Sequence, residues 1–448
     1  MSVSDLISAY IHNQYPKLGV NKSRQIVRLV YEIAKRENQD FHKILPLGQD
    51  QNRSFTEIKN SLIERRYPHL TAHEKRHQLI LSKLDIDPKL QAEINSTYTY
   101  RPEHLYIETA VARSYLARRI KAKFPRAKQH TITSIKEVAG PKKYTFSDYN
   151  SRSQNLFIIQ ERFNFFTPCP CSTGSARCGY QILNLGLGCA YECAYCHLQA
   201  YMNAPGIVFP ANIEDFFARF KNPHQPVRLG TGEFTDSLLF DDITGFSHPI
   251  IEFFRQQPNV VFEFKTKSVN IAQLKKIPSA PNIVIAWSLN PPDVIREYEF
   301  YAPSLDARLK AAQECVRAGY RVAFHFDPII ITDRWQHAYQ DVITRLYATV
   351  RPENVAWISL GALRLTPRMK RIIENRFPTI HLLDGEFIRG FDGKLRYPPR
   401  IRLEIFTKMI SWIRIHDPRI ALYLCMEDPH LVRACRLPPL KYANAATI

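Results

Sequence analysis

Cys189, Cys193 and Cys196 fall within eight residues of one another in "LGLGCAYECAYCHLQAYMN", spaced C-x3-C-x2-C. Three thiolates on one short loop ligate three irons of a cubane 4Fe-4S cluster and leave the fourth iron open to another ligand. A structural zinc would want a fourth protein ligand nearby, and His197, adjacent to Cys196, is badly placed to chelate the same ion. A second group, Cys169, Cys171 and Cys178, lies just upstream in "TPCPCSTGSARCGY". Two readings of it stay open. These thiols, with Cys425 or Cys435, could ligate a second iron–sulfur cluster or a zinc, or they are reduced thiols in a packed loop, one of them able to donate a hydrogen atom. The "STGSARCG" stretch also reads as a tight turn able to approach a phosphate.

Such a loop needs a scaffold. From about Gly179 onward, apolar and β-branched runs alternate with helical stretches: "YQILNLGLG", "VRLGTGEF", "NVVFEFKTKS", "NIVIAWSLN", "RVAFHFDPII", "NVAWISLGALR" and "IALYLCME". Near-continuous apolar strands separated by helices imply a parallel sheet with helices outside, and six or seven such units imply a partial or complete β/α barrel. In that architecture chemistry gathers at the C-terminal ends of the strands. The cysteine loop follows the first of these strands. Polar residues end nearly all of them: Glu233 and Thr235, Lys267 and Ser268, Ser288 and Asn290, His325 and Asp327, Ser359 and Arg364, Cys425 and Glu427.

Residues 1–100 read as helical. Ser54-x-x-Glu57 and Thr71-x-x-Glu74 form capping boxes ahead of apolar runs, and Asp87-Pro88 opens a further helix. A faint repeat relates Tyr15-Pro16 to Tyr67-Pro68, with Leu18/Leu70 and Arg24/Arg76 at the same 52-residue offset. Residues 101–178 read as a basic linking region ending in the Cys-rich loop. Within it Arg113, Arg118, Arg119, Lys121, Lys123, Arg126 and Lys128 surround Leu116, Ile120 and Phe124 at helical spacing, an amphipathic basic helix. Residues 179–448 form the barrel domain.

The net charge of +19 calls for a polyanionic partner, of which nucleic acid is the usual one. Clustered cysteines in a 448-residue chain argue for metal rather than a secreted disulfide scaffold. Apolar runs are of strand length, short of a membrane span, and the start "MSVSDLISAYIHNQYPKLGV" has no signal-peptide pattern. A cytoplasmic protein with no membrane contact is expected.

The C-x3-C-x2-C loop after the first strand of a β/α barrel resembles the signature of the radical S-adenosylmethionine (SAM) superfamily. The run of "GCAYECAYCHLQ", "GEFTDS", "FKTKS", "WSLNP" and "LDARLKAAQECVRAGYRVAFHFDPI" is similar, in order, to the spore photoproduct lyase family. The resemblance implies an α/β fold, a partial (β/α) barrel of radical SAM type, here with an N-terminal all-helical extension. It implies 4Fe-4S ligands at Cys189, Cys193 and Cys196, Tyr195 near the SAM adenine, Gly232 and Glu233 at its amino group, and Lys267 and Ser288 at other polar groups. It further implies DNA as partner, a reductase or flavodoxin-type electron donor, and radical repair or modification of a UV-type pyrimidine lesion.

Two positions depart from the family. Its members carry a cysteine in the segment matching "GEFTDS", which returns hydrogen to the product, and a tyrosine directly after the last cluster cysteine. Here no cysteine lies between Cys196 and Cys315, and His197 holds the tyrosine's place. Cys425 is a candidate replacement donor. A radical SAM enzyme acting on RNA, a peptide or a small molecule, and an iron–sulfur nucleic-acid-binding protein without turnover, are the alternatives to lesion repair.

Overall fold

The structure is a computed structural model and describes residues 2–46, 53–94, 99–139, 146–162 and 165–438, so parts of the expected linking and barrel segments lie outside the described residues. It divides into two compact units, Met1–Ala92 with Leu363–Arg402, and Glu93–Ala362 with Leu403–Ile448.

In the first unit the internal repeat is a repeat of helix caps. Ser2 and Ser54 each cap a 12-residue helix, Val3–Gln14 and Phe55–Arg66, with a capping box closed by Asp5 or Glu57. Each helix ends at a tyrosine in a non-helical conformation, Tyr15 (φ −132°, ψ 65°) and Tyr67 (φ −128°, ψ 60°), because the proline that follows disfavours helical geometry there. Gly19 and Thr71 then precede the second helices, Val20–Arg36 and Ala72–His77, and here the copies differ: Thr71 closes a capping box with Glu74, Gly19 offers no side-chain cap, and the first of these helices runs far longer. Ile7, Ile11, Ile26, Leu29, Val30, Ile58 and Leu62 make the core.

Residues 363–402, which the sequence pattern assigns to the barrel, join this unit instead and add three short antiparallel strands, Arg364–Leu365, Ile388–Arg389 and Leu395–Arg396. The tie is ionic as well as apolar. Buried Arg28 pairs with both Glu32 and Glu374, while Glu32 also receives Lys370 (2.7 Å) and Arg66 (3.1 Å). Burial alone would push the Glu32 carboxyl up, but these cations outweigh it and keep it ionised.

In the second unit, the segment expected to link domains has a sheet of its own. Four parallel strands run in the order Lys128–Ile132, His104–Glu108, Asn155–Ile159, Ile207–Pro210. The basic helix, Tyr115–Lys123, is the crossover between the first two of these in chain order. It buries Leu116, Ala117 and Ile120 against Leu105, Ile107, Phe240 and Ile243, so its apolar stripe is core and its charges face outward.

The main sheet holds seven parallel strands: β1 (Tyr180–Leu183), β2 (Val227–Thr231), β3 (Val260–Thr266), β4 (Ile283–Ser288), β5 (Arg321–Ile329), β6 (Val355–Ala362) and β7 (Leu422–Leu424). They lie side by side in chain order, the singly wound pattern of a partial (β/α) barrel, with Phe166–Pro168 added antiparallel on the outer edge of β1. Each apolar run read from the sequence supplies one of them. No helix among the described residues is long and apolar enough to cross a membrane.

Candidate active site

The loop leaving β1 carries the cysteine triplet, and its path is set by backbone. Gly188, at φ +103°, takes a conformation that side chains resist, and Leu187 exchanges hydrogen bonds with Val208 at 3.0 and 2.9 Å. Glu192–Cys193 then pairs antiparallel with Glu299–Phe300, which sets Cys193 opposite Glu299. Gln199 closes the far side by donating its amide to the carbonyls of Cys193, Ala194 and Cys196 at 3.2, 3.0 and 3.2 Å.

Arg152, which the sequence reading did not single out, clamps the loop from the four-stranded layer. It donates to the carbonyls of Cys189 (3.1 Å) and Tyr191 (3.0 Å) and to the Glu192 carboxylate (2.8 Å), and it is 3% exposed. A buried guanidinium with this fork of acceptors fixes orientation as well as charge.

Burial pushes all three thiols up, and a thiol so placed becomes a thiolate ligand as metal displaces its proton. Positive charge to offset three thiolates is at hand: Lys267 acts on Cys193 and Cys196, and Arg152 acts on Cys189 and Cys196. Among the described residues no three His, Cys, Asp or Glu side chains converge on one point as a single-ion site. A cubane does not need that, since each cysteine holds a different iron.

The next layer is built on Glu299. It is 1% exposed and accepts from the Tyr195 hydroxyl, from Asn290 Nδ2 (2.8 Å) and from Arg308. Burial pushes this carboxyl up, but Arg308 and then Lys267 outweigh it and hold it at about 2. Arg308 also donates to the Ser288 carbonyl at the end of β4 (2.9 Å), and Tyr339 donates to Asn290 (2.8 Å). Tyr195 therefore spends its hydroxyl on Glu299 and offers its ring, over which Lys267 Nζ sits 5.7 Å from the centroid. Burial works against the charge on Lys267; Glu299 and Cys193 outweigh it and keep the ammonium protonated.

Gly232 and Glu233 follow β2. Gly232 sits at φ +100°, and a Cβ there would stand 2.5 Å from the Lys265 carbonyl, so only glycine lets β2 and β3 approach this closely. Asp236 anchors the same turn, accepting from the Lys267 N–H (2.7 Å) and from Leu238 and Leu239 N–H (3.0 and 2.9 Å). Gly232, Glu233, Lys267 and Ser288 thus lie at the same end of three adjacent strands, beside the cluster loop.

Deeper in the barrel His325 lies between Glu263 and Ser359, and Arg228 reaches Glu263, Tyr423 (2.9 Å) and the Cys178 sulfur (3.2 Å). Burial outweighs Glu263 and lowers His325, leaving its imidazole neutral. Cys178 and Cys425 pack with Val284, Ala286, Ala323, Trp357 and Tyr423 inside the barrel. Cys169 and Cys171 are hydrogen-bonded to one another. His197 stacks on Tyr201 at 6.1 Å, an aromatic neighbour that the missing tyrosine left unnoticed.

Comparison with known proteins agrees with this geometry. The family model described as spore photoproduct lyase matches residues 100–392. The spore photoproduct lyase of Clostridium acetobutylicum is 26% identical over 218 residues, covering 47% of this chain and 64% of that protein. The Geobacillus sp. protein of that name is 27% identical over 243 residues (51% and 71%), and the Bacillus subtilis one 26% over 302 residues (64% and 85%). Among solved structures, a spore photoproduct lyase complexed with dinucleoside spore photoproduct superposes with a TM-score of 0.63 at 24% identity, covering 72% of this chain and 99% of that one. A variant with bound AdoMet and the same dinucleoside gives 0.62, with 72% and 98% covered. With the family model matching well over half of its residues, this chain belongs to the spore photoproduct lyase family.

Proposed function

We propose that this chain is a radical SAM enzyme that reverses a UV-induced pyrimidine cross-link in DNA. The observation that carries the reading is the clustering of Cys193, Cys196, Lys267, Tyr195 and Glu299 in one buried charge network, in a chain of this family. Cys189, Cys193 and Cys196 would hold the 4Fe-4S cluster. Glu233 and the Gly232 backbone would take the SAM ammonium, Lys267 and Ser288 its carboxylate and ribose, and the Tyr195 ring its adenine. A zwitterionic ligand needs such a split set of acceptor and donors. Bound there, the reduced cluster and SAM would supply a 5′-deoxyadenosyl radical for hydrogen abstraction.

The protein's part is positioning and exclusion of water. Arg152 and Gln199 hold the loop, Glu299 holds Tyr195, and Asp236 holds the turn that presents Glu233. DNA would lie on the four-stranded layer. Arg113, Arg118, Arg126 and Lys128 are exposed there, with Tyr115 64% exposed among them, whereas Arg119 and Lys123 are bound to the Asp242 turn. Cationic side chains flanking an exposed ring suit phosphates and an unstacked base, and a lesion flipped from the helix would reach the barrel mouth.

A reductase or flavodoxin-type protein would deliver the electron. A cytoplasmic location suits nine cysteines of which none is in a disulfide. A zinc at Cys169, Cys171 and Cys178 fits less well, because among the described residues these side chains do not converge on one point as a single ion needs.

The test is anaerobic 5′-deoxyadenosine release by iron-loaded protein with SAM and dithionite, with UV-irradiated DNA, unirradiated DNA or none. Release that depends on irradiated DNA, with thymine restored, supports the reading. Equal release in all three moves the substrate to RNA, a peptide or a small molecule. No release from loaded protein overturns the catalytic reading.

A further inference from the structure

We propose that the turn between the first two helices, residues 15–22, forms with Lys59 a docking surface for the phosphate backbone of duplex DNA flanking the lesion. The inference rests on the DNA reading above and adds a second contact, on the helical unit; its binding test does not depend on turnover.

The internal repeat supplies the comparison. In the second copy the equivalent turn is spent on the same unit's residues 383–400. Arg66 donates to the carbonyls of Leu383 and Gly385, each at 3.1 Å, and the His69 N–H donates to Glu386 at 3.2 Å. Arg400 donates to the His69 carbonyl and to Glu74 (3.2 Å), while Glu74 also closes the capping box with Thr71. Cap, acid and histidine are all used within the unit.

At the same 52-residue offset the first copy has the opposite chemistry: Lys17 for His69, Gly19 for Thr71 and Lys22 for Glu74. The acid has become a cation and the capping hydroxyl is gone. A Cβ added at Gly19 would meet nothing within 4 Å, and Val20 is 67% exposed, so the turn stands clear of its unit. Lys17 and Lys22 are exposed as well. Lys22 and Lys59 share the Phe55 ring, their Nζ atoms 5.2 and 5.9 Å from its centroid, which brings the two ammonium groups together. Among the described residues, none of Lys17, Lys22 and Lys59 forms an ion pair with a carboxylate.

Charge decides the occupant. Ammonium groups on the surface without acidic neighbours are the groups that displace counterions from nucleic acid, and the chain as a whole carries +19. Contacts to phosphate fix position and carry no sequence information, which suits an enzyme that acts on a lesion rather than on a sequence. A lesion presented as a dinucleoside has no flanking phosphates and would make no use of this surface.

The experiment uses full-length iron-loaded protein and compares wild type with Lys17→Ala/Lys22→Ala/Lys59→Ala and with Lys17→Arg/Lys22→Arg/Lys59→Arg. The probe is an unirradiated DNA duplex of about 30 base pairs, followed by fluorescence anisotropy across a salt series. The alanine variant is expected to bind about ten-fold or more weakly near physiological salt, with the log–log salt slope reduced by about 2 to 3, one contact for each lysine. The arginine variant should stay within about two-fold of wild type, because it keeps the charge that phosphate reads. Turnover of dinucleoside spore photoproduct should be the same in all three proteins. Unchanged duplex affinity and slope in the alanine variant, or an equal loss in the arginine variant, would overturn the proposal. So would a matching fall in dinucleoside turnover, or a loss confined to binding of phosphatidylserine vesicles. If wild type binds the duplex through these lysines yet restores no thymine, the lesion-repair reading falls and the docking surface stands.

Discussion

Arg308→Met tests whether the Glu299 network is what holds the site. Arg308 is fully buried and donates to the carbonyls of Pro303 and Ser288, each at 2.9 Å, and to the Glu299 carboxylate. Without it Glu299 stays buried beside Tyr195 and Asn290 with its nearest cation gone. Breaking a buried pair from one side typically costs about 3–5 kcal/mol. A second route gives an upper bound of similar size: holding a carboxyl at about 2 where 4.5 is ordinary corresponds to about 3.5 kcal/mol at roughly 1.4 kcal/mol per pKa unit, shared by Arg308 with Lys267, Tyr195 and Asn290. The sign is that of a depressed folded-state pKa, so this stability is whole above about 4.5 and is lost only as pH falls towards 2.

At pH 7.5 the full loss is therefore expected. The assay is urea unfolding followed by tryptophan fluorescence, which is selective, since Trp287, Trp335, Trp357 and Trp412 all belong to the barrel unit. Glu299→Gln/Arg308→Met should cost about 2 kcal/mol less than the two single changes added together, because the double variant leaves neither Glu299 nor Arg308 charged and unpaired. A single-variant loss below about 1 kcal/mol, or strict additivity in the double variant, would refute the argument.

Three further outcomes are expected. Gly232→Ala should destabilise the barrel by about 1–3 kcal/mol, because it combines φ +100° with a 2.5 Å approach to the Lys265 carbonyl; tryptophan-detected melting that is unchanged would contradict this. Arg152→Met should weaken cluster retention about ten-fold or more, read by chelator competition, since support of a metal's ligands carries that scale; equal retention would make the clamp incidental. Arg113→Ala/Arg118→Ala should lower the dependence of DNA affinity on salt by about 2 in log–log slope, one contact's worth for each arginine, and an unchanged slope would move the interface elsewhere.

Much of the scaffold was legible in the chain. The seven barrel strands announced themselves as apolar β-branched runs, because strands buried on both faces are mostly apolar even where Arg228, Glu263, His325 and Ser359 pair with one another inside them. The caps at Ser54 and Thr71 were equally readable, since a capping box is complete within four residues. The strands of the four-stranded layer were not. They are four or five residues each, and Ile207–Pro210 joins from the far side of the cysteine loop. Residues 363–402 looked like barrel because they follow β6, yet Glu374 finds its partner at Arg28, 346 positions away.

The site divides in the same way. Chelation by Cys189, Cys193 and Cys196 is local, so residue type and spacing were enough to expect an iron–sulfur cluster and the end of the barrel on which it sits. Arg152, Glu299 and Arg308 carry no such signature. Tyr195 and Glu299 stand 104 residues apart, and Arg152 and Cys189 37 apart, so only the folded chain makes either pair. The Cys169–Cys171 pair was visible as a motif, but its place at the end of the strand that edges β1 was not. Short-range chemistry is written in spacing; a buried charge acquires its partner, and a thiol its neighbourhood, only when the sheet closes around them.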